Sequence, residues 1–149
     1  MASLLIVAHM PLATSLQAVA QHVYPDCRAR VAAVDVPPGV SLDEAREEIR
    51  AALVALGSGE VLLLADVFGA TPCNAAMAAA AGLPARVVAG VNVPMLWRTL
   101  CYLDHPLDDL VTRAVAGASQ GVMHVSIPQR QNQPTPPASH DQVQHQHQQ

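Results

Sequence analysis

The sequence predicts an α/β domain: a mostly parallel open sheet with helices on both faces. Three observations predict it. Short aliphatic runs alternate along the chain with longer segments of helical periodicity, the pattern of strand–helix–strand units with right-handed crossovers. The runs Leu4–Ala8 and Val61–Ala65 contain no polar residue, as strands covered on both faces require. Proline and glycine then punctuate the chain between elements, as at Pro37-Pro38-Gly39.

Leu4-Leu5-Ile6-Val7-Ala8 is the first strand. In residues 12–23, Leu12, Leu16, Val19 and Val23 recur at spacings of three and four, which predicts a helix. Arg30 to Val36 reads as the second strand. Ser41 with Glu44 makes a capping box that opens a second helix through Leu56, and Gly57 ends it. Val61 to Ala65 is the third strand. Thr71 and Pro72 read as N-cap and first residue of a third helix that stops at Gly82. Arg86 to Val91 is the fourth strand, and helices follow near 94–103 and 107–118. Met123 to Ile127 reads as a fifth, edge strand, giving four parallel strands plus a C-terminal edge strand.

The chain has 149 residues, the size of one domain, and 51% of them are apolar against 13% charged, which supplies a core. Only Tyr24, Phe68, Trp97 and Tyr102 are aromatic, so that core is aliphatic. Net charge is −4 and all eight basic residues are arginine, without a basic cluster. Nucleic acid is therefore excluded as a partner, because phosphate neutralisation needs a basic face. No apolar run approaches the roughly 20 residues that span a bilayer. The N-terminus has no basic stretch ahead of its apolar run, so it reads as a strand and not a signal peptide. Cys27, Cys73 and Cys101 are an odd number without CxxC spacing, which argues against disulfides and a zinc knuckle. A cytoplasmic location follows. Residues 1–127 read as the folded domain. Residues 128–149, with eight Gln, four Pro and three His, read as a disordered tail that buries too little to offset the entropy of ordering it.

In open parallel sheets ligands bind beyond the C-terminal strand ends. The residues that follow the strands are His9, then Asp35, then Asp66 with Gly69-Ala70-Thr71-Pro72, then Asn92. A histidine, two carboxylates and a glycine-containing loop feeding a helix start thus share one rim. Neutral imidazole is a nucleophile when its other ring nitrogen donates to a carboxylate, and Asp66 is that carboxylate if the first and third strands are neighbours. The amides of Gly69, Ala70 and Thr71 at a helix start suit an anion. The combination points to phosphoryl transfer through His9. Asp35 and Asn92 are weaker rim candidates; beside Pro37-Pro38-Gly39, Asp35 reads as a turn former. Cys73, His22, His105 and His124 read as structural or surface residues, and neither a metal nor a cofactor is called for.

Taken together, Val7-Ala8-His9, Asp35-Val36-Pro37-Pro38-Gly39, Leu64-Ala65-Asp66-Val67-Phe68-Gly69-Ala70-Thr71-Pro72 and Gly90-Val91-Asn92-Val93-Pro94-Met95-Leu96 resemble the enzyme IIA domain of the mannose/fructose/sorbose family of the bacterial phosphoenolpyruvate-dependent sugar phosphotransferase system. The resemblance spans residues 1–127. It implies that His9 accepts a phosphoryl group from phospho-HPr and passes it to a IIB-type protein, with Asp66 as its partner and the loop through Thr71 holding the group. It also implies a homodimer built with the fifth strand, serving a membrane-associated complex without inserting in the membrane. Since no IIB sequence follows, the acceptor is expected to be a separate protein, or the domain to act as a regulatory phosphorylation sensor. Three departures stand out: Val67 where the family commonly has Thr, Ala70 where Gly is common, and Thr71 for Ser. Three rivals are a dihydroxyacetone kinase phosphotransfer subunit, whose loop after the third strand fits less well, a small cobalt chelatase, whose second histidine would have to be His124, and a pure binding module in which His9 is never phosphorylated.

Overall fold

The structure is a computed structural model and describes residues 1–130. Strands β1 (Ser3–His9), β2 (Val31–Val36), β3 (Val61–Ala65) and β4 (Ala85–Ala89) alternate with α1 (Leu12–Val23), α2 (Leu42–Leu56) and α3 (Thr71–Ala80), and α4 (Val93–Cys101) and α5 (Leu107–Gln120) follow. A 3₁₀ turn over Pro25–Arg30 precedes β2, so that strand starts at Val31. All strand pairs are parallel, in the order β2-β1-β3-β4. The chain moves from β1 to one side, then crosses to the other, which makes the β1/β3 crevice the point where strand order reverses.

Strand alternation divides the core in two. Leu4, Ile6 and Ala8 of β1 and Leu62 and Leu64 of β3 face one side and pack with α1, α4 and α5 through residues such as Leu16, Met95, Leu96 and Leu110. Leu5, Val7, Val61 and Leu63 face the other and pack on Ile49 and Leu53 of α2 and Ala75, Ala76 and Ala79 of α3. The alanine face of α3 lets that helix sit close to the sheet. Each fully buried Leu or Ile contributes about 1.5–3 kcal/mol.

Local chemistry fixes the joints. The Ser41–Glu44 capping box forms in both directions, at 3.1 and 3.0 Å. Arg30 donates to the carbonyls of Ala2 and Leu103 and to Asp104, closing the 3₁₀ turn onto the N-terminus and the α4–α5 link. Where α5 crosses α4, a methyl group on Gly117 would meet Arg98 Cβ at 2.7 Å, and one on Gly121 would meet Pro94 Cβ at 2.3 Å. Only glycine permits that approach.

Two expectations are corrected. Met123 to Ile127 forms no strand: residues 122–130 follow α5 without regular structure, and Ile127 is 87% exposed. An extended apolar run becomes a strand only through a ladder partner, and among the described residues none pairs with this one. The third helix begins one residue earlier than expected, with Ala70 as N-cap and Thr71 as its first residue. Of the polar tail, residues 131–149 lie outside the described residues.

Candidate functional site

His9 closes β1 and Asp66 immediately follows β3, and the neighbouring register Val7–Ala65 brings them side by side. Asp66 Oδ2 lies 2.6 Å from His9 Nδ1 and accepts the His9 backbone N–H at 3.0 Å. Its Oδ1 accepts the Val67 N–H at 2.9 Å. Burial of the carboxyl pushes its pKa up, but the His9 amide, the His9 ring and the Val67 amide together outweigh this and hold it below the ordinary 3.8. An ionised carboxylate only accepts, so Nδ1 carries the proton and the lone pair lies on Nε2. Asp66 is recessed, its side chain 12% exposed, whereas His9 is 55% exposed. The arrangement is a fixed imidazole offering Nε2 to the outside.

Four helices begin on this rim, one after each strand, and three have a side-chain oxygen on their first-turn amides. Asn92 caps α4 by accepting from Met95 N at 2.8 Å, Ser41 caps α2, and Asp35 accepts from Thr14 N in α1 at 3.1 Å. Helix α3 has no side-chain cap. Its approach turns through Gly69, whose φ of +88° favours glycine, while Ala70 sits at −99°, which any residue adopts. The alanine in place of the common glycine thus carries no backbone strain. Thr71, expected to be the cap, makes no cap bond with its hydroxyl.

The structure therefore brings His9, Asp66 and the Gly69-Ala70-Thr71 loop to adjacent strand ends. Asn92 is occupied as a helix cap, and its Nδ2 also donates to Ala118 O at 3.3 Å. Asp35 is not a turn former: both its oxygens engage Thr14, with Thr14 Oγ1 donating to Oδ2 at 2.6 Å. Sequence reasoning missed Thr14, although a threonine in the first turn of the helix after the histidine was the available signal. It also missed that the apolar residues Met10, which follows His9, and Val67 and Phe68, which follow Asp66, are exposed, Phe68 at 76%. Among the described residues no group of three His, Cys, Asp or Glu side chains is disposed to hold a metal, and no helix is long and apolar enough to cross a membrane.

Comparison with known proteins bears on the same segment. The family described as "PTS system fructose IIA component" matches residues 3–115. The mannose-specific EIIAB component of the PTS system from Escherichia coli strain K12 is 37% identical over 93 residues, 60% of this chain and 29% of the relative. The chain thus spans less than a third of the length of the curated relatives it matches. Among solved structures, the mannose/sorbose specific IIA subunit of the phosphotransferase system from Enterococcus faecalis superposes with a TM-score of 0.77 at 27% identity, covering 86% of this chain and 97% of that one. The phosphotransferase system component EIIA from Streptococcus agalactiae shares the fold, with a TM-score of 0.73 at 22% identity over 83% of this chain and 97% of that one. The chain belongs to the IIA component family of the phosphotransferase system.

Proposed function

We propose that this chain carries a phosphoryl group on Nε2 of His9, taking it from phospho-HPr and giving it to a histidine of a IIB-type protein. The observation that carries the reading is the 2.6 Å contact between His9 Nδ1 and Asp66, which commits one ring nitrogen and leaves the other nucleophilic. In the forward step the Nε2 lone pair forms a bond to phosphorus as the bond between phosphorus and the donor imidazole breaks, and the donor ring keeps that electron pair. The positive charge arriving on the His9 ring is met by Asp66 through Nδ1–H, and the proton stays on Nδ1. A charge-assisted hydrogen bond of this kind contributes about 1.5–3 kcal/mol. The free amides at the start of α3, with the Thr71 hydroxyl, supply donors for the phosphoryl oxygens, since the other helix starts on the rim are already occupied. Transfer to the acceptor is the same step reversed.

A site that exchanges a group between two proteins must be reachable from outside, which fits the exposure of His9 and of Met10, Val67 and Phe68. The same chemistry serves a sugar transporter or a regulatory sensor in the cytosol, and identification of the acceptor distinguishes them. The exposed apolar segment at 122–127 supports a homodimer in which a second copy supplies the missing ladder partner, and light scattering checks the mass.

Phosphoryl incorporation from labelled phosphoenolpyruvate, with enzyme I and HPr supplied, tests the reading. Acid-labile label that requires HPr and is absent from His9→Ala is expected. A folded wild-type protein that takes up no label would overturn it.

A further inference from the structure

We propose that Asp35 is a positioning residue for phosphoryl transfer, acting on His9 through Thr14 at the start of α1. The inference rests on the reading of His9 as the phosphoryl acceptor. Helix α1 begins three residues after His9, and its N-cap position is Pro11, which offers no side-chain cap. The acceptor that a cap would supply comes instead from β2: Asp35 Oδ1 accepts Thr14 N at 3.1 Å and Oδ2 accepts Thr14 Oγ1 at 2.6 Å, across 21 residues of sequence. Asp35 is registered against Ala8, the residue before His9, and Met10 N donates to Val36 O at 3.0 Å. The His9–Pro11 link is therefore clamped on both sides of β1. Asp66 from β3 holds the histidine itself, and Asp35 from β2 holds the helix into which it leads.

The consequence is geometric. His9 is more than half exposed, and among the described residues the side-chain hydrogen bond that fixes its ring is the one to Asp66. That bond is directional, so a shift of the β1–α1 link weakens it. A carboxylate on the first-turn amides of α1 also matches the helix dipole, which favours the clamp. Misplacing a reacting group by about 1 Å costs on the order of 10²-fold in rate, and loosening one of two clamps is a smaller disturbance.

The test compares wild type with Asp35→Asn, Asp35→Ala, Thr14→Val and Thr14→Ser. Rapid-quench phosphorylation by phospho-HPr gives the rate at saturating donor and the half-saturating concentration, and ¹⁵N NMR of the His9 ring at neutral pH reports its tautomer. Asp35→Ala and Thr14→Val are expected to lower the saturated rate about tenfold, to leave half-saturation unchanged, and to erode the Nδ1–H signature. Thr14→Ser restores both, and Asp35→Asn, which keeps an acceptor, falls between. Thr14→Val, confined to the surface, keeps the test available if Asp35→Ala fails to fold. Variants that lower only the melting temperature, with rate and ring spectrum as in wild type, would overturn the proposal. Failure of wild type to take up phosphate defeats the reading of His9 instead, and the ring spectrum still decides the role of Asp35.

Discussion

The two ends of the sheet are built for different purposes. At the N-terminal end, Leu53, Val54, Val61, Leu83 and Arg50 surround a recess of about 270 Å³ that is almost entirely apolar. At the C-terminal end His9 is more than half exposed. There the chemistry stands on an open surface: an exposed imidazole, a recessed carboxylate and an uncapped helix start. A pocket large enough for a small molecule is the usual guide to a site, and here it leads to the wrong end. A relay between two proteins needs a nucleophile that a partner can reach, and enclosure would defeat it.

His9→Ala gives the largest expected effect on this contrast, complete loss of phosphoryl uptake measured by acid-labile label. Asp66→Asn comes next. Its amide can donate to Nδ1 and move the ring proton to Nε2, so a fall of about 10²- to 10⁴-fold in transfer rate is expected by rapid quench. Away from the rim, Gly121→Ala drives a methyl into Pro94 and is expected to cost about 1–3 kcal/mol of stability in denaturant unfolding, with the transfer rate of the folded fraction unchanged.

Acid sharpens the comparison further. The Asp66 pKa is depressed in the folded protein, so its stabilisation is fully present above the ordinary carboxylate value of 3.8 and is lost as pH falls below it. The part of the stability gap between wild type and Asp66→Asn that comes from the ionised carboxylate is therefore expected to close in acid below the ordinary carboxylate range. Smallest of all is Val54→Ser in the opposite recess. This side chain is 80% exposed, and a change within about 0.5 kcal/mol is expected with normal phosphoryl uptake.

Most of this molecule is legible in its sequence because the sheet is buried on both faces. Leu4–Ala8 and Val61–Ala65 have no polar residue to confuse the pattern, and the capping box of α2 announces its own start. His9 and Asp66 are legible for a related reason: they are the first polar residues after all-aliphatic strands. What sequence does not carry is pairing. Met123 to Ile127 has the composition of a strand, but a strand is defined by a ladder partner. The bond from Asp35 to Thr14 likewise spans 21 positions and depends on which strand lies beside which. The start of α3 moved by one residue because Thr71 and Pro72 both favour a first turn, and local propensity does not choose between the two frames.

The central claim is that Asp66, by holding Nδ1, makes Nε2 of His9 the phosphoryl acceptor. Two-dimensional ¹⁵N NMR of the phosphorylated protein, labelled in its histidine rings, tests it most directly. The account predicts phosphorus coupling at Nε2 of His9, with Nδ1 still protonated. Coupling at Nδ1, or at another histidine, would contradict it.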